Sequence, residues 1–280
     1  MSLYIGNQKV APAISTIIGA KYGATASTFL GNVDANGVLQ KPTEETNLVF
    51  TDVEDIGSAV LVYFAYRNYS GQSYSFNNIK TVSFPDLTTL SGNYALNYAF
   101  NSCTGLTSVD LSSLTTVSGR SAMQYAFSGC TGLTSVDLSS LTTVSGSSAM
   151  ASAFSGYAGL TSVDLSSLTT VSGSSALGSA FYNCAGLTSV DLSSLATVSG
   201  SSAMSSAFSN TKLTTLSFPS LNSNSFGSYT DQFNNMLKSV TGCTVHFPSN
   251  LQSVIGSWTS VTGGFGGTNT TVLFDLPATT

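Results

Sequence analysis

Between Ile79 and Leu221 one phrase of sequence is written six times with small edits. It reads LTSVDLSSLTTVSGRSAMQYAFSGCTG from Leu106 and LTSVDLSSLTTVSGSSAMASAFSGYAG from Leu133, and it returns from Leu160 and Leu187, a step of 27 residues. A fixed period of this length specifies a solenoid, propeller or array, because one unit has an apolar edge that only a stacked neighbour can bury. The rest of the chain reads as caps on that array.

Within a coil the apolar positions first alternate and then change period. In the coil from Leu133, Val136 and Leu138 bracket Asp137, so the two apolar side chains face inward from a short strand and the Asp faces out. Leu141 and Val144 continue the inner wall, and Gly146 with its serines ends it. Ala149, Met150, Ala153 and Phe154 have the spacing of one face of a helical turn. Stacking then sets each column on itself, with Phe100, Phe127, Phe154, Phe181 and Phe208 as one and Leu114, Leu141, Leu168, Leu195 and Leu221 as another. Each such burial contributes about 1.5–3 kcal/mol. The expected architecture is an α/β solenoid, a right-handed coil with a parallel β-sheet on one side, short helical turns on the other, and β-rich caps.

Three regions follow. Residues 1–44 read as a β-rich N-terminal cap, with LYIG and QKVAP as short strands around a turn. NVDANGVL at 32–39 carries an Asn-Gly turn signal; Asn32, Asp34, Asn36 and Gly37 also fit the first half of a calcium loop, but the closing Glu is replaced by Thr43. Residues 45–251 read as the solenoid, regular over about 79–221 and opening with a worn coil that keeps Phe50, Val53, Ile56, Ala65 and Tyr66 at repeat spacing. An insertion rich in Gly, Ser, Asn and Tyr predicts an exposed loop at 67–78 that carries Tyr69 and Tyr74. Residues 252–280 read as a C-terminal cap built on Trp258, Phe265 and Phe274, with a strand from Val272 to Leu276.

Composition narrows the function classes. Only 8% of residues are charged, and the net charge is −5; Ser and Thr supply the polarity instead. The eight Lys and Arg are scattered, which argues against nucleic acid and anionic membrane as partners. No apolar run is long enough for membrane insertion, and no signal peptide is read at the N-terminus. Motifs for cofactors are missing: the four cysteines have neither CxxC nor zinc spacing, and GGFGG at 263–267 lacks the Lys and Ser/Thr of a phosphate loop. The single histidine, His246, has no G-x-S-x-G or H-E-x-x-H context, so the chain is expected not to be an enzyme.

Two sets of outward residues join Tyr69 and Tyr74 of the 67–78 loop as a candidate ligand face. Asp110, Asp137, Asp164 and Asp191 form one column on the strands, readable either as a solvated acidic stripe tied to neighbouring Ser and Thr, or as a site for a basic or sugar-like partner or weak Ca²⁺. Tyr98 and Tyr125 break a row that continues as Ser152, Ser179 and Ser206. Cys103, Cys130, Tyr157 and Cys184 form an inward column, read as buried thiols because parallel stacking points neighbouring Cys side chains the same way rather than at each other.

The order L-x-x-V-x-L-x-x-L-x-x-V followed by Ala-Phe and a Cys resembles the BspA-like (Treponema pallidum type) leucine-rich repeats. AFNSCTGLTSV from Ala99, AFSGCTGLTSV from Ala126 and AFYNCAGLTSV from Ala180 carry the likeness, and the Pro after the strand survives at Phe84, Phe218 and Phe247. The coil is longer than usual for that class, and its central copies have Ser where Pro would stand. The resemblance implies a binding or adhesion protein that meets a protein or glycan at a cell surface, extracellular or virion-borne, from a gut bacterium or its phage. The uniform Ser, Thr and Asp rows leave a second expectation open, a rigid spacer or virion component whose caps make the contacts.

Overall fold

A computed structural model describes residues 2–5, 8–10, 46–51, 54–56, 66–69, 72–75, 77, 79–228, 230–258 and 264–279. The turn at 32–39, Val53 and Ala65 lie outside these residues. Among them the chain winds as a parallel β-solenoid, and each regular coil has three sides.

The first side is the expected strand. Ile79–Ser83 pairs in parallel with Ser108–Asp110, and Ser162–Asp164 with Ser189–Asp191. Between these pairs, Asp137 joins the column through a single parallel bridge to Asp164. Alternation buries Val82, Val109, Val136 and Val163 while the flanking Ser and Asp face out. A second sheet forms where the sequence suggested only an inner wall. Thr89–Leu90, Thr116–Val117, Thr143–Val144, Thr170–Val171 and Thr197–Val198 stack in strict parallel register, with each Val or Leu inward.

The third side departs from the helical expectation. Ala149, Met150, Ala153 and Phe154 do bury, but no helix holds them. The N–H groups of Ala149, Ala151 and Ala153 each donate to the carbonyl three residues back, at 3.1 Å. Those of Ser148, Met150, Ser152 and Phe154 donate across to Ser174, Ala176, Gly178 and Ala180 of the next coil, at 2.8–2.9 Å. A helix would spend every N–H within its own coil, whereas this row of turns spends half of them on the neighbour. The geometry needs a left-handed residue every fourth position, met by Ser148 (φ 54°), Ser152 (φ 54°) and Gly156 (φ 90°). For most L-residues that conformation costs roughly 1–2 kcal/mol, and a short polar side chain eases it.

Where the second and third sides meet, the coils touch backbone to backbone. A Cβ on Gly146 would lie 2.2 Å from the Gly119 carbonyl oxygen, and the same distance recurs for Gly119, Gly173 and Gly200 against the glycine one coil earlier. Only glycine allows the corner to close at this rise. Inside, the phenylalanine column is a continuous stack: centroids from Phe100 to Phe208 are 5.4–5.8 Å apart with interplanar angles of 4–10°.

At the start, Phe50 and Ile56 are buried as expected, and Ser2–Ile5 pairs antiparallel with Thr46–Thr51 and with Gln8–Val10. Where the 67–78 insertion is described it carries strands rather than plain loop, with Tyr66–Tyr69 paired antiparallel to Gln72–Ser75. At the other end, Thr271–Leu276 pairs in parallel with Thr244–Pro248, so the ladder advances one further step. Phe265 is fully buried in a single turn at Gly264–Gly266, Trp258 packs edge-on against Phe226, and Phe274 stacks on Phe247 at 5.8 Å.

Candidate binding face

The Asp column sits at the C-terminal end of each first-side strand, and each Asp organises the turn that follows. Ser139 donates to Asp137 Oδ1 from both its N–H (3.0 Å) and its hydroxyl (2.7 Å). The N–H groups of Ser166 and Ser193 donate to Oδ1 of Asp164 and Asp191 at 2.9 and 2.8 Å. Asp110 receives the same pair of bonds from Ser112 and a third, 2.7 Å, from the Ser83 hydroxyl one coil earlier. Partial burial pushes the Asp110 carboxyl up, but the Ser83 and Ser112 bonds more than offset it and hold it below its ordinary value. The Ser166 hydroxyl and N–H likewise lower Asp164.

These Asp-x-Ser turns explain the spacing. Asp accepts from the backbone two residues on and so bends the chain from strand into LSSL. The column is therefore structural along one carboxylate oxygen. Oδ1 of Asp137, Asp164 and Asp191 is occupied by its own turn, and Oδ2 of Asp137 and Asp191 accepts no hydrogen bond from another described residue. Two shallow grooves, each about 490 Å³, tile the face. One runs over Ser108, Asp110, Ser135, Asp137 and Ser139, the other over Ser189, Asp191, Ser193, Ser217 and Pro219, and both include Ser162 and Asp164.

The column extends beyond the residues that sequence reasoning singled out. Ser83 precedes Asp110, and after the last Asp, Ser217 pairs with His246 and His246 with Leu273. His246 Nδ1 lies 2.9 Å from Asp275 Oδ1, a partly exposed ion pair when the ring is protonated. That neighbour comes from the last strand, 29 residues on, and no local spacing announces it. Among the described residues no group of three or more His, Cys, Asp or Glu could hold a metal ion.

Tyr98 and Tyr125 are not brought to this face. They lie on the turn side, half-buried, with ring centroids 4.6 Å apart and planes 23° from parallel. Tyr69 and Tyr74 lie on the two strands of the hairpin, where Tyr69 pairs with Gln72 and Arg67 with Tyr74. The candidate residues thus fall on three separate elements.

The cysteine column is buried and unbridged. The Cys130 and Cys184 thiols donate to the carbonyls of Phe100 and Phe154, at 3.0 and 3.2 Å, and the Tyr157 hydroxyl does the same to Phe127. Burial pushes Cys184 and Cys243 up to about 11 and Cys130 well above its ordinary value, so none is a nucleophilic thiolate at neutral pH.

Comparison with known proteins bears on the coil itself. The sequence matches the BspA type leucine rich repeat region in six copies, over residues 65–177 and 151–258, which together span more than half of the chain. The chain belongs to the BspA-type leucine-rich repeat family. Among solved structures it is similar to a leucine-rich repeat protein from Bacteroides ovatus, at 16% identity over 84% of this chain and 74% of that one, with a TM-score of 0.23. A search of curated proteins gave no match. For a BspA-type coil the matched span includes every Asp-bearing strand and both grooves, and among the described residues no helix is long and apolar enough to cross a membrane.

Proposed function

We propose that this chain is a non-enzymatic binding module that recognises a protein or glycan at a cell surface through the Asp and Ser of its first side, with the 66–75 hairpin as a second contact. The observation that carries this reading is the half-committed carboxylate column. Asp137 and Asp191 are each oriented by their own coil through Oδ1, and Oδ2 of each accepts no bond from another described residue where the side chain lines a groove, whereas Asp110 is held at both oxygens by Ser112 and Ser83. Acceptors fixed in this way are preorganised, so a partner rich in N–H or O–H donors meets them with little ordering left to do. Repetition at about 4.8 Å per coil suits a ligand that is itself repetitive.

Changing Asp110, Asp137, Asp164 and Asp191 together to Asn keeps the shape and the turn acceptor but removes the charge. Binding to amine-bearing glycans and to basic proteins presented on an array is expected to be lost in that variant while the thermal midpoint changes little. Retained binding would dispose of the proposal.

A second reading draws on the uniformity of the rows, since Ser135, Ser162 and Ser189 repeat without change beside the Asp column. In that reading the repeat is a rigid spacer or virion component and the caps make the contacts. It predicts binding that survives both the four Asp changes and the trimming of the hairpin to a short turn.

A further inference from the structure

We infer that the turn side carries a separate carbohydrate site, in which the free face of Tyr125 takes a neutral sugar ring above Ser152. The inference does not rest on the Asp column. It rests on how an aromatic stack begins and stops along one column of left-handed residues.

Tyr98, Tyr125, Ser152, Ser179 and Ser206 occupy equivalent places in five successive coils, with φ of 54°, 55°, 54°, 54° and 55°. The backbone is the same in all five, so the side chain alone changes. A bulky residue is out of place in this conformation, and the three later coils use Ser. The first two use Tyr, and their rings stack at 4.6 Å, close to the rise of about 4.8 Å between neighbouring strands. Each ring plane therefore stands across the solenoid axis, like a plate on edge. Tyr98 covers one face of Tyr125 and fixes its orientation. The opposite face looks along the axis over Ser152, whose side chain is too small to cover it.

The result is a step whose wall is an aromatic ring and whose floor is Ala151, Ser152, Gly178 and Ser179, all half-buried and uncharged. Among the described residues no hydrogen bond ties down the hydroxyl of Ser152 or Ser179. The chemistry that matches is a ring with an apolar C–H face for the wall and hydroxyls around its edge for the floor, which describes a neutral pyranose. An aromatic side chain from a protein would use the wall but leave the floor hydroxyls unmet, and an ionic ligand finds no counter-charge there.

Because the column's backbone is constant, the step can be erased or moved without rebuilding the fold. The test is calorimetric titration of the full chain with cellohexaose, chitohexaose and a linear mannohexaose, alongside variants. The wild-type chain is expected to bind at least one of the three. Tyr98→Ser with Tyr125→Ser is expected to weaken that binding about tenfold or more, since Tyr125→Ser alone would only shift the step back to Tyr98. Adding Ser152→Tyr and Ser179→Tyr to the double variant moves the ring pair two coils along, above Ser206, and is expected to restore binding to within about threefold. The four-Asp variant should bind the sugar as the wild type does. No binding by any of the three sugars, a double variant that binds like wild type, or a folded relocated pair that fails to bind each overturns the inference.

Discussion

The strand side and the turn side are built by the same coils at the same spacing, yet they ask different things of the sequence. On the strands the backbone is extended, and any residue can stand at an outward position; the chain nonetheless repeats Ser and Asp there almost without variation. On the turn side every fourth residue is left-handed, a restriction that favours Ser, Asn and Gly, and there the chain departs from the rule with Tyr94, Tyr98 and Tyr125. Monotony on a permissive surface marks a shared architectural task, here the Asp-x-Ser turn. Variation on a restrictive one marks a residue kept for something other than ease of folding.

That contrast can be broken or sharpened by substitution. The largest effect should come from the wall both sides share: Phe154→Ala opens the middle of the aromatic stack and should lower stability by about 3–5 kcal/mol, read by thermal or urea unfolding. An unchanged midpoint would remove the column from the core. Gly146→Ala at the corner should follow, at roughly 1–3 kcal/mol, because its methyl meets the Gly119 carbonyl at 2.2 Å. The sharpest comparison is one substitution made on each side. Ser152→Val forces a β-branched residue into a left-handed place and should lose about 1–2 kcal/mol. Ser162→Val, outward on a strand, should be neutral or gain a few tenths. Equal effects at the two sites would show that the sides do not differ as described. The smallest effect concerns acid. Asp110 and Asp164 titrate below their ordinary value in the folded chain, so the stability they contribute is present above the usual carboxylate range and is lost as pH falls through the lowered values. Asp110→Asn together with Asp164→Asn should flatten the acid limb of a stability–pH curve below about pH 4.

The same contrast explains what could be read from the sequence. Phe154 and Leu141 were legible because burial demands an apolar residue at a fixed period, whatever the backbone does between. Asp137 was legible as outward for the same reason. The turn side was not, because Ala-Met-x-x-Ala-Phe suits a helical face and a run of four-residue turns equally well. The signal that separates them is polar: Ser148, Ser152 and Gly156 stand four apart at places that tolerate positive φ. The hairpin had a local sign as well, Ser70-Gly71 between Tyr69 and Gln72, but the flanking strands are short and polar and give no alternation of apolar residues. The meeting of His246 with Asp275 depends on stacking two coils and has no local trace.

The corner glycines have a consequence for how such a molecule can change over time. Since Gly119, Gly146, Gly173 and Gly200 meet one another in the same way, any coil fits against any other, and each contacts only its neighbours. Excising residues 133–159 would join Gly132 to Leu160 and leave every column in register, one coil shorter. Length, and with it the number of grooves a single molecule displays, is thus a trait that can shift in whole-coil steps without the fold being tested anew.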